Sequence, residues 1–301
     1  MRHAILGAGG VGGFIACCLA RAGEDVTLVV RPEKLADHPP KLQLESPLGN
    51  WTADVDWAAS IPPADVLWLT IKATQLEDAL RSITKPESIR AVVPLLNGID
   101  HLPVLRSTFG ADRVIPATIA GEFERVSAGH FVHRTPFAVL NLSARGRELL
   151  DPVVEKLRAL GLTYNFFDDE MTLMWSKLVF LAPIALTTSA FDRTVGEVMA
   201  DAKTRQQMED CVRETCAIGQ AEGAKVDADA VLKLLKNAPF GFRSSMQKDV
   251  ASGRALELDA IGGAVVRAAK RHGLTAPSTE ALMAQIAARI EKRSSTIDRA
   301  S

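Results

Sequence analysis

Aromatic residues are scarce in this 301-residue chain, at 5%, and Tyr164 is its single tyrosine. Base-stacking platforms for single-stranded nucleic acid need several exposed rings, so no such surface is expected. Net charge is lacking too: 35 Lys and Arg stand against 36 Asp and Glu, leaving −1 at pH 7. Binding to a phosphate backbone runs on a clear basic excess, which excludes nucleic acid as a partner. Cysteine is limited to Cys17, Cys18, Cys211 and Cys216, with no C-x-x-C and no Cys/His spacing suited to zinc. Adjacent cysteines on a helix point in different directions, so all four read as small buried thiols in a reducing cytosol, with no metal. The longest uncharged apolar run, Leu178 to Ala190, contains Pro183 and stops short of the roughly 18 residues that span a bilayer. The first apolar run, His3 to Leu6, flows directly into glycines and lacks the longer core of a signal peptide. These absences lead to the expectation of a cytoplasmic protein with neither nucleic acid nor membrane as a partner.

What is present is ordinary globular composition, 47% hydrophobic and 24% charged, with length for two domains. Arg2–Leu6, Asp25–Val30, Val66–Ile71, Ala91–Leu96 and Val114–Ile119 are rich in Val, Ile and Leu. Helical stretches such as Gly12–Ala22 and Thr74–Ser82 separate them. Strands buried on both faces read as continuous apolar runs, so the alternation predicts a parallel α/β sheet. Gly129–Leu142 alternates less regularly and suits further, antiparallel strands. After about Asp168 the pattern turns helical: Met171–Leu186 is apolar almost all round, and Ala202–Glu222, Glu257–His272 and a segment opened by Pro277 follow. In Glu257–His272, Leu258, Ile261, Val265 and Ala269 share one stripe. Ser294 to Ser301 are polar and expected to fray. The boundary therefore falls near residue 168: a mixed α/β domain, residues 1–168, followed by an all-α domain, residues 169–301.

Gly7-Ala8-Gly9-Gly10-Val11-Gly12 reads G-x-G-x-x-G between a short apolar strand and a helix with Val11, Phe14, Ile15, Cys18 and Leu19 at helical spacing. Gly7 permits the tight turn, Gly9 lets backbone approach a pyrophosphate, and Gly12 allows close helix–strand packing. The amides of the helix start then hold phosphate. Glycine patterns alone match by accident, but strand, helix and spacing agree here, so residues 1–168 are expected to form an α/β Rossmann-type dinucleotide-binding domain. At the end of the second strand stands Arg31, where an acidic residue would accept a ribose 2′-hydroxyl; arginine suits a 2′-phosphate, hence NADP(H). A solvated loop arginine is the plainer alternative. Lys72 and Asn97 fall after later strands, where ligands sit in open α/β sheets, although Asn97-Gly98 by itself is more often only a turn.

Lys177 is the one charge after Met171 in the greasy helix. It either snorkels to the helix surface or meets a partner. Glu257, on the face of Ile261, Ala264 and Ala268, offers an inward carboxylate, whereas Asp259 lies on the other side. A lysine and a carboxylate in an apolar wall can form a proton-transfer pair with acidity tuned by burial.

Ile5 to Gly12, Ile71-Lys72-Ala73-Thr74-Gln75, Leu96-Asn97-Gly98, Trp175-Ser176-Lys177-Leu178, Ser244-Ser245-Met246 with Asp249, and Gly253-Arg254 with Glu257-Leu258-Asp259 together make a recognisable set. Across nearly its full length the chain resembles the 2-dehydropantoate 2-reductase (ketopantoate reductase) family. The resemblance implies a helical domain like the C-terminal domain of 6-phosphogluconate dehydrogenase, and NADPH-dependent reduction of a 2-oxo acid in a cleft, a step of pantothenate biosynthesis. It implies that Lys177 is the general acid, that Glu257 orients it, and that Ser245 holds the substrate carboxylate. Asn97 would bridge cofactor and substrate, and Lys72 would lie near the nicotinamide ribose or the substrate.

Typical members carry asparagines four and eight residues after that lysine and another before Gly-Glu; here Leu181, Ala185 and Val195 stand there. Loss of those amides points to a divergent member, with weak affinity for ketopantoate, the default substrate that the resemblance implies, or with a different, more apolar 2-oxo or 2-hydroxy acid or imine as substrate. A catalytically lapsed nucleotide-binding regulator is a further alternative, opposed by the retention of Lys177 and Glu257. Pro183 removes one helical hydrogen bond, to the carbonyl of Val179, and predicts a kink. A homodimer is compatible with the sequence.

Overall fold

The computed structural model describes residues 1–298, and side chains as far as Arg293. Strands in chain order are Arg2–Leu6 (β1), Asp25–Val29 (β2), Lys41–Glu45 (β3), Trp51–Asp54 (β4), Asp56–Ala58 (β5), Ala64–Leu69 (β6), Ile89–Pro94 (β7), Ala117–Ala120 (β8), Phe123–Ser127 (β9), His130–His133 (β10), Val139–Ser143 (β11) and Thr163–Phe167 (β12). Helices are Gly10–Arg21 (α1), Leu76–Arg81 (α2), His101–Phe109 (α3), Arg147–Ala159 (α4), Glu170–Phe191 (α5), Val195–Ala200 (α6), Ala202–Ala221 (α7), Ala228–Lys236 (α8), Ser245–Ala251 (α9), Ala264–Arg271 (α10) and Pro277–Asp298 (α11). Two compact units result: Met1–Leu96 with His101–Leu173, and Asn97–Asp100 with the chain from Met174 onward.

The first unit is built on a parallel sheet of order β5-β2-β1-β6-β7. Ala4, Ile5, Val66, Leu67, Trp68 and Leu69 are fully buried, as central parallel strands require. α1 lays Phe14, Ile15, Cys18 and Leu19 into this core and ends before Gly23, whose φ of +80° stops the helix. The expected strand Val114–Ile119 does not extend the parallel sheet. Val114 makes one parallel bridge to Val92, and β8 instead pairs antiparallel with β11 in a second sheet of order β12-β11-β8. A third sheet, β4-β3-β10-β9, covers α1. β3 carries alternating exposed and buried side chains, and Phe131 of β10 lies fully buried against Gly13 of α1.

The second unit is helical. α7 begins where the Asp201 carboxylate accepts from Thr204 N at 2.9 Å and ends before Gly223 at φ +93°. α5 passes through Pro183 without a break, and the Pro183 carbonyl accepts from the Thr187 hydroxyl at 2.7 Å. By length and composition α5 could cross a membrane, yet 67% of its most apolar window is buried inside the protein, as in a core helix. The expected regular helix from Glu257 is different: residues Asp259–Gly263 form a π-helical turn, and α-helix resumes at Ala264. Gly262 in this turn packs closely against α11, where a side chain on it would stand 2.6 Å from the Met283 sulfur. α11 continues to Asp298, so the expected frayed tail from Ser294 is helical that far; residues 299–301 lie outside the described residues.

Candidate active site

The C-terminal ends of β2, β1 and β6 are neighbours in the first unit, and of the residues expected to meet a cofactor the loop Gly7 to Gly12, Arg31 and Lys72 follow them, whereas Asn97 belongs to the second unit. Gly7 takes φ +113° and packs against Ile71 and Thr70, whose hydroxyl donates to the carbonyls of Leu6 and Gly7 at 3.1 and 2.8 Å. A side chain on Gly12 would stand 1.9 Å from the Gly7 carbonyl, so this glycine lets helix and strand touch. Gly9 is different in kind: nothing lies within 4 Å of where its side chain would be. It is also the N-cap of α1, with no side-chain cap. An open backbone face at the start of a helix suits a phosphate ligand, so the loop Gly7, Ala8, Gly9, Gly10, Val11 and Gly12 fits a dinucleotide. Arg31 follows β2, exposed and 3.5 Å from Glu33. Lys72 follows β6 and is partly buried.

The second unit assembles a different group. Trp175 is fully buried against Gly219, where a side chain would meet its ring at 2.9 Å, so α5 lies flush on α7. Met174, Leu178, Val179 and Ala182 are buried beside it, and Lys177 is partly buried on the helix they define. That packing lowers the Lys177 ammonium from 10.5 to about 8, because burial disfavours its charge, while Glu257 opposes the shift. Glu257 is 8% exposed, on the line of buried Ile261, Ala264 and Ala268. Asn97 Nδ2 donates to Glu257 Oε2 at 2.9 Å.

Three contacts seat the Asn97–Asp100 segment on this helix. Besides the Asn97 hydrogen bond, Gly98 at φ +80° has no room for a side chain, since Cβ would stand 2.1 Å from the Ala260 carbonyl. Asp100 pairs with Arg267 at 2.7 Å, and Arg267 also holds Asp259 at 2.6 Å. The π-helical turn lies between these anchors, a distortion that often accompanies functional sites. Ser245 is exposed at the first position of α9, and its neighbour Ser244 caps that helix and exchanges a 2.8 Å hydrogen bond with Thr188. No hydrogen bond joins Ser245 to Lys177, Asn97 or Glu257 among the described residues. Asp249 pairs with Arg254 at 2.7 Å and ties down the turn that precedes Glu257.

Sequence reasoning missed the anchors Asp100 and Arg267, the hydroxyl of Thr70, and Arg125, whose Nη1 donates to the Ala8 carbonyl at 3.3 Å. Leu181 is partly buried one turn beyond Lys177, whereas Ala185 and Val195 are each 1% exposed, closed into apolar packing.

Comparison with known proteins brings both groups under one description. Residues 3–144 match the family model described as ketopantoate reductase PanE/ApbA, and residues 169–290 match its C-terminal model. The chain belongs to this family. Family membership makes it an oxidoreductase acting on a C=O/CH–OH group with a nicotinamide dinucleotide cofactor. An uncharacterized oxidoreductase, YkpB, of Bacillus subtilis is 28% identical, with 95% of this chain and 98% of the relative covered. The 2-dehydropantoate 2-reductase of Caulobacter vibrioides is also 28% identical, over 93% of this chain and 96% of its own. The fold matches the structure of D-mandelate dehydrogenase with NADH and anilino(oxo)acetate at a TM-score of 0.85 and 21% identity, covering 97% of this chain and 99% of that one.

Proposed function

We propose that the protein reduces a small 2-oxo acid with NADPH, ketopantoate being the family default, in which case it is a cytoplasmic enzyme of pantothenate biosynthesis. The observation that carries this reading is the partly buried Lys177, lowered to about 8, with a buried Glu257 that Asn97 holds by hydrogen bond. When bound, the nicotinamide dinucleotide supplies hydride to the carbonyl carbon. Negative charge then grows on the carbonyl oxygen; Lys177 stabilises it as a nearby cation and releases a proton from Nζ. An ammonium near 8 is a far stronger acid than ordinary lysine and is still mostly protonated at pH 7, which suits a general acid. Glu257 opposes loss of that proton until it is needed, and Asn97 fixes the carboxylate. In the same reading Ser245 receives the substrate carboxylate, Arg31 a 2′-phosphate, Lys72 the ribose or substrate, and Gly7 to Gly12 the pyrophosphate.

A more apolar 2-oxo acid is the second reading, favoured by Leu181 beside Lys177 and by the buried apolar Ala185 and Val195. None of the three side chains can pair with a substrate hydroxyl, and an unpaired buried hydroxyl costs about 1–3 kcal/mol. A panel of 2-oxo acids, ketopantoate included, assayed with NADPH and with NADH tests both. Turnover with NADPH is expected, fastest on the apolar acids if the second reading holds. Failure of every 2-oxo acid to oxidise either cofactor refutes the proposal.

A further inference from the structure

We propose that Arg125 is a further cofactor-binding residue, a cation delivered by β9 to the pyrophosphate of the dinucleotide. The inference rests on the nicotinamide dinucleotide reading of the glycine loop. Strand register decides which way this arginine faces. Arg125 pairs across the ladder with Phe131, and Phe123, two residues earlier, pairs with His133. Directly paired residues and residues two apart share one face of a sheet. On that face Phe131 packs on Gly13 of α1, and Phe123 packs on Phe14 of α1 with ring centroids 4.4 Å apart. Arg125 therefore stands over the same helix. Glu124, on the opposite face, is occupied with Arg134 at 2.6 Å.

The seat of β9 on the loop is equally close. A side chain on Gly10 would stand 2.2 Å from the Phe123 carbonyl, so Gly10 is the residue that lets β9 approach the start of α1. From there Arg125 Nη1 reaches the Ala8 carbonyl at 3.3 Å, next to the open backbone of Gly9. The side chain is otherwise exposed, and among the described residues this is the one hydrogen bond its guanidinium makes. A long bond from an exposed arginine to a carbonyl adds little to stability. Its remaining donors, held beside a loop that otherwise offers only neutral amides, match a doubly charged pyrophosphate, for which a guanidinium fork is well suited. His38, after the segment that carries Arg31, is lowered first by burial and next by the charge of Arg125, so the guanidinium is within electrostatic reach of the segment that follows β2.

Direct binding of NADPH, NADH, ADP and adenosine 2′-monophosphate to the wild-type chain, Arg125→Met and Arg125→Lys, measured by calorimetry, tests the assignment without turnover. Arg125→Met is expected to raise Kd about tenfold for NADPH, NADH and ADP, the size of one charge-assisted hydrogen bond. Adenosine 2′-monophosphate, which has no pyrophosphate, is expected to bind within twofold of wild type, and Arg125→Lys to recover part of the ADP affinity. Unchanged ADP affinity in Arg125→Met overturns the proposal, as does equal weakening of adenosine 2′-monophosphate. Arg31→Ala separates the two readings: it is expected to weaken NADPH and adenosine 2′-monophosphate but not ADP. Failure of that pattern sinks the 2′-phosphate role of Arg31 and leaves the ADP result for Arg125 standing.

Discussion

Lys177→Met is expected to stabilise the protein at neutral pH while removing the proposed general acid. The Lys177 ammonium falls from 10.5 to about 8 in the folded chain. At 1.36 kcal/mol per unit that shift corresponds to about 3 kcal/mol. Lys177 keeps some solvent contact, and Glu257 loses a compensating charge in the variant, so the gain realised is about 1–3 kcal/mol. The pH dependence fixes the sign. Below pH 8 folded and unfolded chains both carry the charge, and the folded chain bears the whole burial cost. Between about 8 and 10.5 the unfolded chain binds more protons than the folded one, so wild-type stability rises with pH through that window. Above it both forms are neutral and the cost is gone. Methionine, of similar length, is neutral at every pH and carries no such cost. Urea denaturation of both proteins at pH 7 and pH 10, followed by tryptophan fluorescence, is the assay; Trp175 lies in the same helix. The variant should be the more stable at pH 7, with the gap mostly closed at pH 10. A less stable Lys177→Met at pH 7, or a gap that does not narrow at pH 10, refutes the reasoning.

Three further outcomes follow from the same geometry. Asn97→Leu removes the hydrogen bond donated to Glu257 Oε2, a loss of about 1–3 kcal/mol in urea denaturation; an unchanged stability would contradict a role for this bond in holding the segment. Gly98→Ala forces Cβ to 2.1 Å from the Ala260 carbonyl at φ +80°, so thermal melting should fall by several degrees, at about 2–4 °C per kcal/mol, and an unchanged melting temperature contradicts the close approach. Leu181→Asn returns an amide one turn from Lys177 and is expected to raise kcat/KM for ketopantoate about tenfold relative to 2-oxoisovalerate, which lacks its hydroxymethyl group. Equal effects on both substrates would remove Leu181 from specificity.

The parallel sheet was legible because its strands are buried on both faces and spell continuous apolar runs, as in Arg2–Leu6 and Ala64–Leu69. The sheet of β4, β3, β10 and β9 was not: Lys41–Glu45 and Phe123–Ser127 show mostly polar side chains, and the pairing of β3 with β10 that holds its two hairpins together joins strands far apart in the chain. The glycine loop could be read from local spacing, whereas Arg125 belongs to no local pattern and reaches Ala8 across 117 positions. Lys177 stood out as a charge in an apolar helix, and Glu257 as a carboxylate on an inward line. Their link through Asn97 spans 160 positions and leaves no periodicity to detect. The π-helical turn was hidden because Ile261 and Val265 fit an ordinary stripe equally well. Gly262 and Gly263 were the available signal.

The pH dependence of kcat in the reductive direction, measured for wild type and Lys177→Ala on the best substrate of the panel, tests the central claim most directly. Wild-type kcat should fall as pH rises through about 8, following loss of the Lys177 proton. Lys177→Ala should be slower by about 10²–10⁴-fold, the usual range for general acid catalysis, with that limb absent. Turnover of Lys177→Ala within a few-fold of wild type, with the same alkaline limb, would contradict the account.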